Sequence, residues 1–449
     1  MDITALLRSY DAPVPRYTSY PTAPHFSPAI SAEIYAQWLA QIGETPVSLY
    51  IHVPFCAQLC WFCGCHTTAT RTTAPIEAYA DTLLAEIDLL TAAIGRRPPV
   101  QHIHWGGGTP TAMPAPRMRD IMQRLRAGFA VRDDAEIAVE IDPRTATSSA
   151  LDALADIGCN RASLGVQDFN PKVQQAVNRI QSFAETNACA RALRDRGIAA
   201  INLDLIYGLP FQTEASVAAT TDQALLIAPD RIAVFGYAHV PWMKKHQNLL
   251  PQHALPDAEA RWRQRAAMEH VILGHGWQAI GLDHYARPDD TLAQAATAQT
   301  MRRNFQGYTT DTAPVLLGLG ASSIGALAEG YVQNIPAIPA YRDAVHAGHL
   351  PIARGVELSD EDRMRRDVIE QLMCNGRVDL ETTAARHGRD SLGLRAAAPA
   401  LDAMAQDGIV EWDGRSLRIP DHTRPFVRNV AAAFDTYFQP ATDKHARAV

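Results

Sequence analysis

Between residues 47 and 237, short runs rich in β-branched residues alternate with stretches of helical periodicity. The helical stretches include 76–94 and 215–227, and the extended runs are 47–53, 102–105, 136–141, 161–166, 201–207 and 231–237. Strands that alternate with helices pair in parallel through right-handed crossovers. The pattern therefore predicts an α/β fold whose core is an open or partial (β/α)6 barrel.

The barrel is one of four predicted regions, with boundaries 1–46, 47–250, 251–358 and 359–449. The first is an N-terminal arm whose prolines favour an extended backbone, followed by a helix near 31–41. The third extends the barrel, includes a strand-like run at 278–282 and contributes to the substrate site. The last is a mostly helical C-terminal domain with a hairpin that turns at Asp413 and Gly414. We expect this domain to be a structural lid or docking module, and the arm to be a lid over the substrate rather than a core element.

Composition excludes several classes of protein. Hydrophobic residues make up 47% and charged residues 20%, which is typical of a soluble globular chain. The net charge is −7 without a basic stripe, so nucleic acid is not an expected partner. Apolar runs are too short to span a membrane, and the first residues lack a basic leader, so we expect a cytoplasmic protein.

Four of the seven cysteines fall within ten residues, directly after the first predicted strand. In a reducing compartment such clustering indicates metal binding rather than disulfides. The spacing Cys56-x3-Cys60-x2-Cys63 suits a 4Fe-4S cluster, because three thiolates can hold three irons and leave the fourth open. The alternative is a zinc site completed by Cys65 or His66, although zinc sites usually have a second ligand pair that this sequence lacks.

Polar and glycine residues follow the later predicted strands, and parallel strands end at one edge of a sheet. The residues expected near this rim are Cys56, Gly106, Asp142, Gln167, Gly208 and His239. The glycines of HWGGGTP (104–110) would let backbone groups approach a polar ligand closely. Glu140, Gln167 and Asp204 could bond hydroxyl groups, and Arg179 could meet a carboxylate. Each could also be an ordinary surface or capping residue.

Ten stretches together resemble the oxygen-independent coproporphyrinogen III oxidases, a family of radical S-adenosylmethionine (SAM) enzymes. They are PRYTSYP (15–21), YIHVPFC (50–56), CWFCGC (60–65), HWGGGTPT (104–111), EIDPR (140–144), GVQDFN (165–170), NLDLIYGLP (202–210), YAHVP (237–241), HYARPDD (284–290) and RNFQGYTT (303–310). The departures are mild, with Trp61 where tyrosine is common and Gly236 before YAH. The resemblance implies radical decarboxylation of two propionates of coproporphyrinogen III to vinyl groups, giving protoporphyrinogen IX.

The resemblance also implies a set of site residues. Cys56, Cys60 and Cys63 would bind the cluster, while Cys65 would belong to the signature without being a ligand. The first SAM would be bound by Tyr50, Gly107 and Glu140, and a second SAM by Phe62, Gly108, Thr109, Gln167, Arg179, Asp204, Ala238 and Ile324. Because the substrate bears four carboxylates, the candidate substrate contacts are Arg16, His239, Arg287, Arg303 and Tyr308.

The same resemblance implies an electron-donor protein such as a flavodoxin or ferredoxin, and a monomeric enzyme. No side chain is expected to act as a catalyst beyond the cluster and SAM. Two alternatives share the cluster motif: a heme chaperone of the superfamily, which would retain heme, and a radical SAM methyltransferase, which would methylate its product. The chaperones lack the CGC extension and the PRYTSYP arm, and both are present in this chain.

Overall fold

A computed structural model describes residues 3–439 of the chain. Twelve strands in this part form one sheet, and we number them along the chain as β1 (Val47–Val53), β2 (Pro99–Gly107), β3 (Ala130–Ile141), β4 (Arg161–Gln167), β5 (Ala200–Tyr207), β6 (Arg231–Gly236), β7 (Gln278–Ile280), β8 (His284–Ala286), β9 (Val315–Leu319), β10 (Ile324–Ala326), β11 (Gly330–Asn334) and β12 (Ile352–Glu357). The order is β12-β11-β10-β9-β1-β2-β3-β4-β5-β6-β8-β7.

The predicted six-stranded parallel core is confirmed, since β1 to β6 pair in parallel and in sequence order. A seventh parallel strand, β9, adds beside β1, and antiparallel strands extend both edges. The run predicted at 278–282 is β7, which lies at one edge. The sheet does not close on itself, as expected of a partial barrel.

The described residues form fifteen α-helices, several of which begin with a clear capping residue. Ser182 and Glu185 form a reciprocal capping box, and Gly95 ends a helix in the left-handed conformation. The helices are α1 (Ile3–Tyr10), α2 (Ala32–Ala40), α3 (Ala74–Ile94), α4 (Ala115–Gly128), α5 (Ser148–Asp156), α6 (Pro171–Ala176), α7 (Phe183–Arg194), α8 (Glu214–Leu225), α9 (Ala258–Gly274), α10 (Thr291–Ala298), α11 (Ile338–His346), α12 (Asp360–Asn375), α13 (Leu380–Arg386), α14 (Ala398–Gln406) and α15 (Val427–Ala432).

Alternation along the barrel strands separates a helix-facing side from an interior side. In β4, Ala162, Leu164 and Val166 are buried, while Ser163 and Gln167 are partly accessible. The same period of two recurs in β3 and β5. Polar residues at the alternate positions therefore face the barrel interior, which is what assembles the site.

One buried carboxylate ties α3 to the loop after β9. Glu86 is fully buried and accepts the Gly320 N–H at 2.7 Å, Asn334 Nδ2 at 2.5 Å and the Tyr341 hydroxyl at 2.6 Å. A buried carboxylate persists only when its oxygens are satisfied in this way. Glu86 thus fixes the Gly-rich segment of β9 and β10 beside the barrel.

The N-terminal arm shares a second core with the C-terminal region. Its buried side chains pack with α12, α14 and α15, and they are Leu6, Leu7, Val14, Tyr17 and Tyr20. Tyr17 donates to Asp435 at 3.0 Å, and Asn429 Nδ2 donates to the Tyr10 carbonyl at 2.8 Å. The expectation that the arm is not a core element is therefore wrong, while its role as a lid over the substrate stays a prediction. The prolines set its extended backbone but do not prevent its apolar side chains from being buried.

The predicted C-terminal hairpin is confirmed, with Glu411–Trp412 paired to Ser416–Arg418 across Asp413 and Gly414. The third strand of this small sheet is Arg377–Asp379. The predicted boundaries of the four regions stay a prediction, and residues 1–2 and 440–449 of the outer two lie outside the described residues. Within residues 3–439, no helix is both long and apolar enough to cross a membrane.

Candidate active site

Two adjoining cavities lie inside the barrel, one at the carboxyl ends of its strands and one that extends through the interior to Arg161 and Arg231, the first residues of β4 and β6. The larger, about 800 Å³, is the main cavity, and the smaller, about 170 Å³, is the thiol cavity. Eleven predicted cofactor or cluster residues border the thiol cavity: Cys56, Cys60, Phe62, Cys63, Gly107, Gly108, Thr109, Glu140, Gln167, Arg179 and Asp204. Asp142, predicted at the rim, lies there too. Ala238 borders the main cavity instead.

The three thiols are surrounded by hydrogen-bond donors and cations. Thr109 donates to Cys56 Sγ at 3.4 Å, and the Cys65 N–H donates to Cys63 Sγ at 3.4 Å. Hydrogen bonding from Cys65 lowers the pKa of Cys63 to about 7, whereas burial raises the pKa of Cys56. Donors aimed at sulfur favour the thiolate, which is the metal-binding form.

Two guanidinium groups approach the third thiol. Arg144 Nη2 and Arg179 Nη1 each lie 3.5 Å from Cys60 Sγ. Arg144 forms a close ion pair with Asp142 at 2.6 Å, while Arg179 lies 3.5 Å from the same carboxylate. Burial opposes ionisation of Asp142, but the arginines outweigh it and hold the pKa of Asp142 below its usual value.

The donor set fits an iron-sulfur cluster. Soft thiolates from a single short loop border one shared cavity, as a cluster with three protein ligands requires. In the part of the chain that the structure describes, no group of three His, Cys, Asp or Glu side chains is arranged to hold a single metal ion.

The glycine segment after β2 packs tightly against the cysteine loop. Gly107 has φ 109°, and a Cβ on Gly108 would lie 2.6 Å from the Phe55 carbonyl oxygen. Only glycine permits this approach, so backbone rather than side chain lines the cavity here. The approach seen here is to the backbone of the cysteine loop, and the predicted approach of the HWGGGTP glycines to a polar ligand stays a prediction.

The residues expected at the first SAM form a connected group. Glu140 accepts the Gly107 N–H and His104 Nε2, each at 3.1 Å. Burial raises the pKa of Glu140, but the bonds from His104 and Gly107 outweigh it and leave the pKa below its usual value. Tyr50 stacks on His104 with ring centroids 5.9 Å apart and borders neither cavity.

Polar groups on β4 and β5 face the junction of the two cavities. Asp204 accepts Ser163 Oγ at 3.1 Å and Asn202 Nδ2 at 2.9 Å. Burial, with Glu140 nearby, raises the pKa of Asp204 to about 6. Asn202 Oδ1 is buried without a hydrogen-bond partner beside the main cavity. An unsatisfied acceptor at a cavity wall indicates that a polar ligand completes it.

The candidate substrate residues are distributed over several places. Arg16 and Tyr308 border the main cavity, and Arg303 lies behind Tyr308 with its guanidinium 4.4 Å from the ring centroid. His239 borders neither cavity, and its Nδ1 lies 2.9 Å from the Tyr237 hydroxyl.

Two predicted residues lie away from the cavities. Ile324 begins β10 and packs with Phe26 and Tyr331. Arg287 is exposed and pairs with Asp289 at 3.2 Å. It follows Ala286, the last residue of β8, which pairs with the first residue of β6. It therefore lies at the amino end of the barrel strands, opposite the thiols.

Sequence reasoning missed several residues of the site. Arg144 stands in the EIDPR stretch that carried the resemblance, so a signal was available for it. Arg428 borders the main cavity from α15, far along the chain, and nothing in its local sequence indicates this. Asp283 and Arg261 likewise reach the site only through tertiary structure.

Comparison with known proteins agrees with this geometry. Residues 50–224 match the Radical SAM superfamily, and residues 358–426 match the HemN C-terminal domain. The chain is 52% identical to an oxygen-independent coproporphyrinogen III oxidase of Bradyrhizobium diazoefficiens and 45% identical to one of Paracoccus denitrificans, covering 97% of each chain in both cases. The solved structure of coproporphyrinogen III oxidase (HemN) from Escherichia coli, a radical SAM enzyme, superimposes with a TM-score of 0.90 at 37% identity, covering 97% of this chain and 99% of that one.

Proposed function

The chain belongs to the family of oxygen-independent coproporphyrinogen III oxidases, and on that premise we propose how its own residues serve the reaction. It is a radical SAM oxidoreductase that decarboxylates coproporphyrinogen III oxidatively in anaerobic heme biosynthesis, and its cofactors are a 4Fe-4S cluster and SAM. The observation that carries this function is the shared cavity of three thiols and successive strand ends, next to a cavity of about 800 Å³.

Cys56, Cys60 and Cys63 hold the cluster in this proposal, and Cys65 contributes its N–H rather than its thiol. When bound, the cluster and SAM would supply a 5′-deoxyadenosyl radical for removal of a propionate hydrogen, and loss of CO2 to leave a vinyl group would also require an acceptor for one electron. Arg144 and Arg179 offset the negative charge that accumulates around Cys60.

We assign two SAM molecules to the site. Tyr50, Gly107 and Glu140 position the first, because the Glu140 network fixes the glycine backbone beside the thiols. The second is bound by groups that border one or both cavities, namely Phe62, Gly108, Thr109, Gln167, Arg179, Asp204 and Ala238. Ile324 borders neither cavity, so this proposal leaves it out.

The test is an anaerobic assay of the reconstituted protein with coproporphyrinogen III, SAM and a reductant. Mass spectrometry follows CO2, porphyrin products and 5′-deoxyadenosine, with a no-substrate control for abortive SAM cleavage. Each decarboxylation consumes one SAM, so we expect two 5′-deoxyadenosines per protoporphyrinogen IX. A ratio near one contradicts the two-SAM proposal, and a methylated product or tightly retained heme contradicts the function.

A surface beside the cysteine loop suits an acidic electron-donor protein of the flavodoxin or ferredoxin type. Lys244 Nζ donates to the Cys65 carbonyl at 2.8 Å, and Lys245 follows it. Exposed apolar side chains flank them, with Trp242 52% and Met243 65% accessible. Small redox interfaces combine an apolar centre with complementary charge.

The double variant Lys244→Glu/Lys245→Glu should slow cluster reduction by an acidic carrier about tenfold or more at low salt, but not reduction by dithionite. Equal rates with the carrier would refute this surface. We also propose that the enzyme is a cytoplasmic monomer. Light scattering after size-exclusion chromatography tests the oligomeric state.

A further inference from the structure

A third cavity, of about 50 Å³, adjoins the main cavity and is bordered by five arginines and one carboxylate. We call it the arginine pocket, and its charged residues are Arg16, Arg261, Arg265, Arg303, Arg428 and Asp283. It shares Arg16, Arg428 and residues 235–238 with the main cavity, but none of its residues borders the thiol cavity.

The arginines come from distant parts of the chain. Arg16 lies in the N-terminal arm, Arg261 on α9, Arg303 on the short strand Arg302–Asn304 and Arg428 on α15. Taking several cations out of water is costly unless opposite charges compensate them. Arg428 is buried and Arg261 and Arg303 are partly buried, whereas Arg16 is exposed. The pocket therefore concentrates positive charge in a place that suits an anion.

Three of the arginines are held by uncharged backbone carbonyls. Arg16 donates to Gly236 O at 3.4 Å, Arg303 donates to the Arg16 carbonyl at 3.4 Å, and Arg261 donates to Tyr237 O at 3.0 Å. A carbonyl orients a guanidinium without neutralising it. Arg265 differs, since Glu269 lies 3.2 Å from it and balances its charge.

Several donors in the pocket are unused. Arg303 Nε and Nη1 and Arg261 Nε are buried without a hydrogen-bond partner. Buried guanidinium donors are normally satisfied, so their availability indicates that a ligand completes them.

The single carboxylate does not balance the pocket. Asp283 already lies 2.7 Å from His284 Nδ1. Burial opposes its ionisation, but His284, Arg303 and Arg16 outweigh this and lower the pKa of Asp283 to about 2. Asp283 therefore stays ionised and offsets part of the charge of Arg16 and Arg303, and the remaining positive charge is available to an incoming anion.

We propose that the arginine pocket binds one propionate carboxylate of the tetrapyrrole, on a ring whose propionate survives the reaction. The inference rests on the proposed function. Planar guanidinium groups match carboxylates through paired hydrogen bonds, and a pocket this small beside a large cavity suits a charged group on a flexible side chain of a bulky ligand. The reacting propionate lies elsewhere, because it must reach the thiol cavity.

The test measures binding of oxidised coproporphyrin III, which does not react, by fluorescence quenching. Arg303→Met and Arg261→Met each remove unused donors, and Arg263→Met is the matched control, because Arg263 lies on the same helix but is exposed and paired with Glu214. We expect about a 10- to 100-fold weaker binding for the first two variants and no change for the control. KM for coproporphyrinogen III should rise in parallel, and Arg303→Lys should restore part of the loss.

A second substrate decides where the effect arises. In an analogue whose two surviving propionates are replaced by ethyl groups, Arg303→Met should cost no affinity relative to the wild-type protein. Equal losses with both ligands, or unchanged binding of coproporphyrin, overturn the proposal. Circular dichroism and iron content show whether Arg303→Met folds. If it does not, Arg16→Met tests the proposal in its place, since the hydrogen bond that this variant loses is the 3.4 Å bond to Gly236. A wild-type protein that fails to decarboxylate refutes the proposed function instead, whatever the variants bind.

Discussion

Replacing Arg179 should impair the reaction far more than it destabilises the fold. Replacing its neighbour Arg144 should mainly destabilise the fold. Arg179 donates to the Gly165 carbonyl at 2.6 Å and lies 3.5 Å from both Asp142 and Cys60 Sγ. Each of these partners has a second donor. Gln181 Nε2 donates to the Gly165 carbonyl at 3.0 Å, and Arg144 contacts both Asp142 and the thiol.

The expected magnitudes follow from this redundancy. Arg179→Ala removes the 2.6 Å bond to the Gly165 carbonyl and the 3.5 Å contacts to Asp142 and Cys60 but leaves no buried acceptor unpaired, which costs about 1–2 kcal/mol after the desolvation of the guanidinium is recovered. Arg144→Ala removes the close ion pair and leaves the largely buried carboxylate of Asp142 with the backbone N–H of residue 144 at 3.1 Å and the 3.5 Å contact to Arg179, which costs about 2–3 kcal/mol. Only Arg179 is proposed to meet the methionyl carboxylate of the second SAM.

Urea unfolding of both variants without cofactors measures the change in the free energy of unfolding. Iron content and decarboxylation after reconstitution measure the effect on the reaction. We expect Arg179→Ala to unfold at nearly the wild-type urea concentration, to retain iron, and to lose protoporphyrinogen IX formation. The reasoning fails if Arg179→Ala destabilises the protein more than Arg144→Ala does, or if it decarboxylates at the wild-type rate.

Three further predictions use other parts of the chain. Cys65→Ser should retain iron that Cys63→Ser loses, and equal iron loss in the two variants would contradict the ligand assignment. A chain that begins at Ser31 loses the five arm side chains that lie in the core shared with the C-terminal region, worth on the order of 10 kcal/mol. Limited proteolysis should therefore cut its C-terminal domain, and resistance equal to that of the wild-type protein would argue against this. Burial raises the pKa of Glu86 to about 7, so the stability it contributes is complete below about pH 4.5 and is lost as pH rises through 7. In the wild-type protein the free energy of unfolding should fall by roughly 3 kcal/mol between pH 5 and 8, and thermal unfolding of Glu86→Gln should lack this decline. The same decline in the variant would mean that another group causes it.

The barrel was predictable because its strands follow a local rule. Period-two alternation decides which side chains face the interior, and parallel strands end at one edge. Cys56, Asp142 and Gln167 are separated by more than a hundred residues along the chain, yet they border one cavity as predicted. Strand β9 was harder to predict, because a short, fully buried run does not differ in pattern from a buried helical segment.

The arginine pocket shows what the sequence does not reveal. Arg261 on α9 and Arg428 on α15 occupy helices, where an arginine usually lies on the solvent-facing side. Their convergence depends on how the arm and the C-terminal helices pack against the barrel, which is a long-range property. The arm itself was predicted as extended, but its burial was not, because Leu6, Val14 and Tyr20 follow no regular period.

Residues assigned by resemblance divide according to where the fold places them. Many of those on the parallel strands and the loops that follow them, such as Thr109, Gln167 and Asp204, meet at the cavities, because the carboxyl ends of these strands converge, although Tyr50 and His239 border neither cavity. Ile324 and Arg287 lie on or beside strands that join the sheet antiparallel, and both are away from the cavities. Arg287 follows the carboxyl end of antiparallel β8 and so lies at the amino end of the barrel strands, whereas Ile324 begins β10, which β9 separates from β1. Position along the sequence motif alone locates neither residue. Roles for this chain are therefore better supported where the motif and the strand direction agree.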